Sequence, residues 1–259
     1  MANPHPVVVE KTGRIAVVTI NRPEARNAVN GAVACALEAA VDEVERDPDI
    51  WAAILKGAGD AVFCAGADLK EISSGNIGDL STARGGFAGF VHAGRTKPWI
   101  AAVEGLALAG GCEIALACDM IVASDDSAFG LPEVTRGLLA AAGGLYRLPR
   151  ALPRALAIEL ILTAARLPAE RAAALGMVNR LAPRGQVLAA AIDLAASVVA
   201  NAPLAVRESL AVARAAADLD DDSLRALSEQ AQDRLKHTAD FAEGPRAFVE
   251  KRAPIWQGV

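Results

Sequence analysis

The chain has 259 residues, which suits one large domain or a core with an extension, and its formal net charge of −5 argues against a nucleic-acid partner, because phosphate contacts need clustered Lys and Arg. Hydrophobic residues make up 53% of the chain, yet no run approaches the ~18 uncharged apolar residues of a membrane helix, so we expect no membrane partner. The first residues lack a basic segment followed by an apolar one, and we therefore predict no secretory signal and a cytoplasmic location.

Strands, helices and turns of small residues alternate in the first third of the chain. β-Branched residues predict a strand over 14–22, and apolar residues at helical spacing predict a helix over 29–46. A second strand is expected over 51–56. Residues 62–70 then form a turn of small residues that leads into a helical segment, and residues 73–94 predict a mobile loop with a short helix beside the site.

The centre of the chain joins a strand, a glycine-rich turn and a helix. An apolar run predicts a buried strand over 100–103, and Gly105, Gly110 and Gly111 follow in a loop where backbone N–H groups could approach a ligand closely. The helix that begins at Gly111 is apolar almost all round, so Glu113 is one carboxylate in its first turn. Two explanations are open. Glu113 complements the helix dipole, or it moves a proton beside an oxyanion hole made of glycine N–H groups.

A second acidic residue, Glu133, follows a strand predicted over 120–124 and comes directly after Pro132. It is either a solvated carboxylate near a helix start or the partner of Glu113 in a site for proton transfer. Small residues recur over 137–144. Further along, the patterns predict a helical region from residue 145, helices over 156–163 and 168–175, and a short strand over 178–181.

The composition changes at residue 186, where long helices rich in Ala and Leu begin. Helices appended to a core often hold subunits together. We divide the chain at this change into a core that carries the site, residues 1–185, and a C-terminal helical region, residues 186–259. The helices expected in the second region cover 186–200, 203–218, 221–236 and 244–252.

Two kinds of bound group are not expected. The three histidines show no His-x-x-x-His or His-Glu-x-x-His spacing, so we predict no metal site. The small-residue turns match neither Gly-x-Gly-x-x-Gly nor a phosphate loop, so a nucleotide cofactor is not expected either. The four cysteines form no Cys-x-x-Cys pair and lie among apolar residues, which predicts reduced, buried thiols.

Five motifs follow one another along the chain. They are Asn21-Arg22-Pro23 with Asn27-Ala28, Phe63-Cys64-Ala65-Gly66-Ala67-Asp68-Leu69-Lys70, Ala109-Gly110-Gly111-Cys112-Glu113, Phe129-Gly130-Leu131-Pro132-Glu133, and Gly143-Gly144 with Arg147-Leu148. Taken together and in this order, they resemble those of the enoyl-CoA hydratase, or crotonase, family, and the resemblance covers nearly the whole chain. The resemblance implies an α/β fold, a ClpP-like crotonase spiral of strand-strand-helix units, whose C-terminal helices, here the oligomerisation region over residues 186–259, build a homotrimer that is commonly paired into a hexamer.

The resemblance also implies roles for individual residues. The backbone N–H groups of Ala67 and Gly110 would hold the thioester oxygen, and Glu113 and Glu133 would hold and activate a water across the double bond. CoA is then part of the substrate, so no separate cofactor is expected. The implied contacts with the substrate and its CoA group are at Ala25, Arg26, Ala65, Asp68, Leu69, Lys70, Ala141, Phe248 and Lys251, the last two reaching the CoA site of a neighbouring subunit.

The implied activity is hydration of trans-2-enoyl-CoA to 3-hydroxyacyl-CoA in fatty-acid β-oxidation. A carnitinyl-CoA-type dehydratase, an enoyl-CoA isomerase and a non-catalytic acyl-CoA-binding protein are the alternatives. Leu131 and residues 143–149 resemble the carnitinyl-CoA dehydratase branch. The family often has Pro-Gly where this chain has Ala140-Ala141, so an N–H that helps to hold the water would fall to Ala141.

Overall fold

The structure is a computed structural model that describes residues 5–259. Within this range it contains twelve β-strands and ten α-helices. The strands are β1 (Val7–Thr12), β2 (Ile15–Ile20), β3 (Ala52–Gly57), β4 (Val62–Cys64), β5 (Ser81–Thr82), β6 (Gly86–Phe87), β7 (Trp99–Val103), β8 (Leu106–Leu108), β9 (Met120–Ser124), β10 (Ala128–Gly130), β11 (Leu167–Pro168) and β12 (Arg180–Ala182). The helices are α1 (Gly31–Arg46), α2 (Leu69–Ser73), α3 (Gly110–Ala117), α4 (Gly144–Ala151), α5 (Arg154–Thr163), α6 (Ala169–Ala174), α7 (Val187–Val199), α8 (Pro203–Ala215), α9 (Asp221–Leu235) and α10 (Ala239–Val249).

A six-stranded sheet in the order β1-β2-β3-β7-β9-β12 forms the centre of the fold. β1 pairs antiparallel with β2, and the other neighbouring pairs run parallel. Parallel strands that are covered on both faces read as continuous apolar runs, and all residues of β7 are buried. For this reason the apolar runs in the sequence predicted β2, β3, β7 and β9 correctly.

Helices cover both faces of this sheet. On one face Leu55 of β3 joins the larger hydrophobic core with Leu37 of α1. On the other face Ile54 joins a second core with Ala191 of α7. Because successive residues of a strand point to opposite faces, β3 contributes alternately to the two cores. α7 thus packs on the central sheet although it lies beyond residue 185, and the division of the chain at that residue stays a prediction.

A smaller sheet has the order β11-β10-β8-β4, and β4, β8 and β10 run parallel within it. Their carboxyl ends therefore lie at the same edge. Three turns leave from this edge: residues 65–68 after β4, Ala109 between β8 and α3, and residues 131–133 after β10. Ligands of open α/β sheets bind outside the carboxyl ends of the strands. The sheet therefore brings together three motifs that are far apart in the chain.

The segment after α2 differs from the expected loop with a short helix. It contains a 3-10 helix over Ile77–Leu80 and a hairpin made by β5 and β6. The Glu38 carboxylate of α1 accepts hydrogen bonds from Thr82 Oγ1 at 2.6 Å and from the Gly85 N–H at 3.0 Å, and so ties the hairpin to the helix. Strands of two residues carry no periodic pattern, so sequence analysis could not predict them.

Other boundaries and one burial prediction also need correction. The predicted turn over 62–70 begins with the strand β4, and the predicted loop after β7 contains β8. α8 ends at Ala215 rather than at 218, and α10 begins at Ala239 rather than at 244. Cys35 is exposed on α1, so the prediction that all four thiols are buried is wrong. Within residues 5–259 no single helix is long and apolar enough to cross a membrane. α7 and α8, which are bent by 105° at their junction, together have the length and apolar composition of a membrane span.

Candidate active site

Two turns touch at the edge of the smaller sheet where β4 and β8 end. A Cβ built on Gly66 would lie 2.7 Å from the Gly110 nitrogen, so the two backbones are in direct contact. Gly111 is equally confined, because its Cβ would lie 2.0 Å from the Cys64 carbonyl oxygen. Residues without a side chain are required for such close approaches. The two turns therefore lie side by side with no side chain between them.

The N–H groups of Ala67 and Gly110 donate to no acceptor within the described part of the chain. Val29 donates to the Gly66 oxygen at 2.8 Å and accepts from the Asp68 N–H at 2.8 Å, so this bridge bypasses the Ala67 N–H. Gly110 is the first residue of α3, where a helix has no acceptor one turn back. Free donors at a helix start favour an oxygen that carries negative charge.

Backbone strain and an aromatic ring fix the turn that precedes α3. Ala109 has φ 51° and ψ −129°, a conformation that is sparsely populated by residues with a side chain. The ring of Phe87 packs against Gly110, because a Cβ on Gly110 would lie 2.4 Å from the Phe87 Cε1 atom. Sequence analysis did not identify Phe87. Its signal was one of two phenylalanines, Phe87 and Phe90, in a segment rich in Gly and Ala.

Glu113 lies in the first turn of α3 and is almost completely buried, with 3% of its surface exposed. Its Oε1 atom accepts a hydrogen bond from the Gly144 N–H at 2.8 Å. Burial raises the pKa of Glu113 to about 7, and the charge of Glu133 adds to this rise. The N–H groups of Gly144 and Ala142 and the charge of Arg147 act in the opposite direction on this pKa. Glu113 can therefore take up or release a proton near neutral pH.

Glu133 begins the 3-10 helix over Glu133–Arg136, directly after the turn that leaves β10. It is also buried, with 8% of its surface exposed, and its Oε2 atom has no hydrogen-bond partner among the described residues. Burial raises the pKa of this carboxyl group above its ordinary value of 4.5, while its own backbone N–H and the charge of Arg136 act in the opposite direction. The alternative of a solvated surface carboxylate is therefore wrong for Glu133.

An apolar cavity of about 260 Å³ lies beside Glu133. Its walls come from the segment after β10, from the start of α4 and from the end of α5, and Glu133 is the one charged residue among them. The volume is slightly below the ~300–1,000 Å³ of most small-molecule pockets, which suits a short aliphatic group. The lining residues are Leu131, Glu133, Val134, Leu139, Ala140, Leu145, Ile161 and Leu162.

Several residues predicted to contact the substrate lie at the same turns. The Arg26 carbonyl oxygen accepts a hydrogen bond from the Ala65 N–H at 3.1 Å, which brings Ala25 and Arg26 against the turn after β4. Ala141 is exposed in the turn that ends at Gly144. These positions agree with a shared site, while contact with a substrate stays a prediction.

Asp68 has a structural role in addition to the predicted binding role. Its carboxylate caps α2 by accepting from the Lys70 N–H at 3.1 Å, and it also accepts from Arg22 Nη2 at 3.2 Å. The side chains of Leu69 and Lys70 are exposed beyond this cap. Of these three residues, the two exposed ones remain available for contact with a ligand.

Phe248 and Lys251 lie at the end of α10 and not at the turns. Phe248 is 85% exposed, and Lys251 is exposed just beyond the helix. Within residues 5–259 the hydrogen bonds of this segment are local, such as the one from the Lys251 N–H to the Phe248 oxygen at 3.2 Å. A role for these two residues in the site of the same chain has no support in the geometry, and the predicted role across a subunit interface stays open.

Comparison with known proteins gives one consistent family. The enoyl-CoA hydratase/isomerase family model matches residues 10–259. A carnitinyl-CoA dehydratase of Salmonella typhi is 37% identical over 253 residues, which cover 96% of this chain and 97% of the relative. A crystal structure of an enoyl-CoA hydratase from Mycobacterium tuberculosis H37Rv is 47% identical with a TM-score of 0.94 and covers 98% of this chain and 100% of that one.

A third similar protein is named after carnitinyl-CoA, as the Salmonella typhi relative is. The crystal structure of a carnitinyl-CoA hydratase from Mycobacterium avium is 45% identical with a TM-score of 0.78, and covers 99% of this chain and 100% of that one. The similarity to the first solved structure confirms the predicted α/β crotonase fold. The chain belongs to the enoyl-CoA hydratase/isomerase family.

Proposed function

We propose that the protein adds water to trans-2-enoyl-CoA and forms 3-hydroxyacyl-CoA. The observation that carries this proposal is the pair of buried carboxyl groups, Glu113 and Glu133, of which one accepts a backbone hydrogen bond and the other faces an aliphatic cavity without a partner. Hydration of a double bond needs one group that takes a proton and one that gives a proton, and buried carboxyl groups with different surroundings can divide these tasks.

The two free N–H groups would stabilise the charge that develops during the reaction. When water adds to C3 of an enoyl thioester, electrons move from the double bond towards the carbonyl oxygen and form an enolate. The Ala67 and Gly110 N–H groups have no other acceptor in the described residues, and they lie on turns in direct backbone contact. Preorganised donors of this kind typically contribute ~10²–10³ in rate each.

The surroundings of the carboxyl groups suggest which one acts as base. Glu113 accepts the Gly144 N–H, a contact that favours its anion, so Glu113 removes a proton from water as the water oxygen bonds to C3. Glu133 has an unpartnered oxygen in an aliphatic setting, which favours its acid form, so Glu133 delivers a proton to C2. The net change is the addition of one water, and transfer of a proton from Glu113 to Glu133 restores the starting state.

The cavity favours an alkyl chain over a cationic one. Its walls are aliphatic, whereas quaternary ammonium groups are recognised mainly by aromatic side chains. A second candidate activity, dehydration of carnitinyl-CoA, is supported by the name of the Salmonella typhi relative. The trimethylammonium group of carnitinyl-CoA would have to lie among leucines, with Glu133 as its one anionic neighbour. Glu133 is already assigned to proton transfer, so it would have to serve both purposes.

The remaining parts of the proposal concern the CoA group and assembly. We expect CoA to be held as part of the substrate, with no separate cofactor, by the exposed residues that follow Asp68 and by Phe248 and Lys251 of a neighbouring subunit. We expect a trimer or a hexamer in which Phe248, 85% exposed in the single chain, is covered by a neighbouring subunit. A cytoplasmic location in fatty-acid breakdown completes the proposal.

A substrate panel tests the proposed activity. The loss or gain of the enoyl-thioester absorbance is followed with straight-chain trans-2-enoyl-CoA esters of increasing length, with 3-enoyl-CoA and with carnitinyl-CoA. Hydration of short straight-chain esters is expected to be the fastest reaction. Fastest turnover of carnitinyl-CoA supports the dehydratase, fastest turnover of the 3-enoyl ester supports an isomerase, and binding without any turnover supports an acyl-CoA-binding protein; each would contradict the proposal.

A further inference from the structure

Arg147 of α4 joins two backbone segments next to the carboxyl pair. Its Nη1 atom donates to the Ala142 oxygen at 3.0 Å, and its Nη2 atom donates to the Val91 oxygen at 2.6 Å. The two acceptors are far apart in sequence, so one planar guanidinium connects the turn ahead of α4 with the segment that follows the β5–β6 hairpin. The fixed fork of a guanidinium suits such a two-point contact, which a lysine cannot reproduce.

The turn that Arg147 holds carries the hydrogen-bond donor of Glu113. Gly143 has φ 119°, and a Cβ at this position would lie 2.0 Å from Arg147 Nη1, so the guanidinium is packed directly against the turn. The Arg147 N–H also donates to the Gly143 oxygen at 2.8 Å. The next residue, Gly144, donates its N–H to Glu113 Oε1 at 2.8 Å. The position of that N–H therefore depends on the contacts of Arg147.

We propose that Arg147 is a positioning residue for the hydration reaction: it fixes the turn over residues 142–144 so that the Gly144 N–H meets Glu113, and its positive charge favours the anion of Glu113 that accepts the proton from water. This inference rests on the proposed function. It assigns to Arg147 an effect on the base through the turn, without contact with the substrate.

Electrostatics agree with this geometry. The charge of Arg147 lowers the pKa of Glu113 and so opposes the rise caused by burial and by Glu133. Cys112 is the other titratable group beside Glu113, and burial raises the pKa of its thiol well above the ordinary value, so it adds no charge near neutral pH. The charged and titratable groups around Arg147 itself are Arg95, Cys118, Arg150, Tyr146 and His92, the last two joined by a hydrogen bond of 3.2 Å.

Two variants separate the contact from the charge. Arg147→Gln removes both, and Arg147→Lys keeps the charge but loses the fork. Arg150→Gln is the matched control, because it removes the same charge from the same helix. Arg150 forms an ion pair with Asp218 at 2.7 Å and does not contact the turn over residues 142–144. His92→Gln is the second control, because the His92 side chain hydrogen-bonds the Tyr146 hydroxyl on α4 and not the turn over residues 142–144.

The measurement is the pH profile of kcat and KM for a short trans-2-enoyl-CoA in all five proteins, including the wild type. Arg147→Gln is expected to lose ~10- to 100-fold in kcat with little change in KM, the size of effect that misplacement of a catalytic group produces. The acid limb of the kcat profile of Arg147→Gln is expected to move to higher pH, because the positive charge that favoured the Glu113 anion is gone. Arg147→Lys is expected to lose kcat with a smaller movement of the limb, and both controls are expected to keep the profile of the wild type.

Two outcomes would overturn the inference. A folded Arg147→Gln variant with the kcat and the acid limb of the wild type shows that the guanidinium does not act on the base. A loss of kcat with the limb unmoved shows a structural role alone. Failure of the proposed function is recognised separately, since then Glu113→Gln keeps its turnover or the wild type hydrates none of the enoyl esters.

Discussion

Replacement of Glu113 by Gln should make the free energy of unfolding less dependent on pH while it removes the proposed base. The carboxyl group is 3% exposed, and burial raises its pKa from 4.5 to about 7. Between these two values the folded protein keeps a proton on Glu113 that the unfolded chain has already released. The free energy of unfolding therefore falls as pH rises through this range, because the folded state binds more protons than the unfolded state.

The magnitude follows from the width of this range. The interval from 4.5 to about 7, at about 1.36 kcal/mol per pH unit, amounts to about 3 kcal/mol. The stabilising contribution is fully present below pH 4.5 and is lost as pH rises to about 7. A glutamine does not titrate, so the difference in unfolding free energy, Glu113→Gln minus wild type, should grow by about 3 kcal/mol across this range. Any cost of packing the amide is independent of pH and cancels in this comparison.

Urea unfolding at several pH values and one fixed protein concentration measures this difference, since assembly makes apparent stability depend on concentration. Glu229→Gln is the control, because Glu229 is an exposed carboxylate on α9, and its difference from the wild type is expected to stay flat. A flat difference for Glu113→Gln as well would show that Glu113 is not a buried acid with a raised pKa. The reasoning about the base would then lose its electrostatic foundation.

Two further predictions concern the glycine turn and the C-terminus. Gly110→Ala places a Cβ 2.4 Å from the Phe87 ring, so we expect kcat to fall ~10²–10³-fold as the free N–H groups move apart. The control Gly78→Ala should be neutral, because its Cβ meets nothing within 4 Å. Turnover of Gly110→Ala at the wild-type rate would contradict the oxyanion role. Phe248→Ser and Lys251→Gln change exposed residues and should leave the fold intact while they raise KM for CoA esters and lower the assembled mass in light scattering, and unchanged values of both would refute the contact across subunits.

The sequence predicted the central elements of the site because long apolar patterns and sequence motifs both mark them. The helix after the glycine turn is confirmed as α3, with Glu113 in its first turn, and the buried strand predicted over 100–103 is confirmed as β7. The strands β8 and β10 were missed. Each has three residues, too few for a periodic signal, yet these two strands bring Gly110 and Glu133 to the same edge.

Contacts between distant parts of the chain could not be predicted from one sequence. The hydrogen bond from Gly144 to Glu113 joins residues that are 31 positions apart, and the cavity combines the segment after β10 with the end of α5. The motif with Gly143 and Gly144 indicated that this turn mattered, while its role as donor to Glu113 appeared only in the folded chain. Exposure of Phe248 likewise depends on the packing of α10, which no local pattern determines.

The most direct test of the central claim is the rate of hydration in Glu113→Gln, Glu133→Gln and the double variant. If the two carboxyl groups act on one water, each single change is expected to lower kcat by ~10²–10⁴, with little effect on binding. The double variant should then lose much less than the product of the single losses, because groups that work as a unit are strongly non-additive. Hydration at the wild-type rate by Glu133→Gln, with Glu113→Gln inactive, would contradict a two-carboxylate hydratase and support an enzyme that uses Glu113 alone.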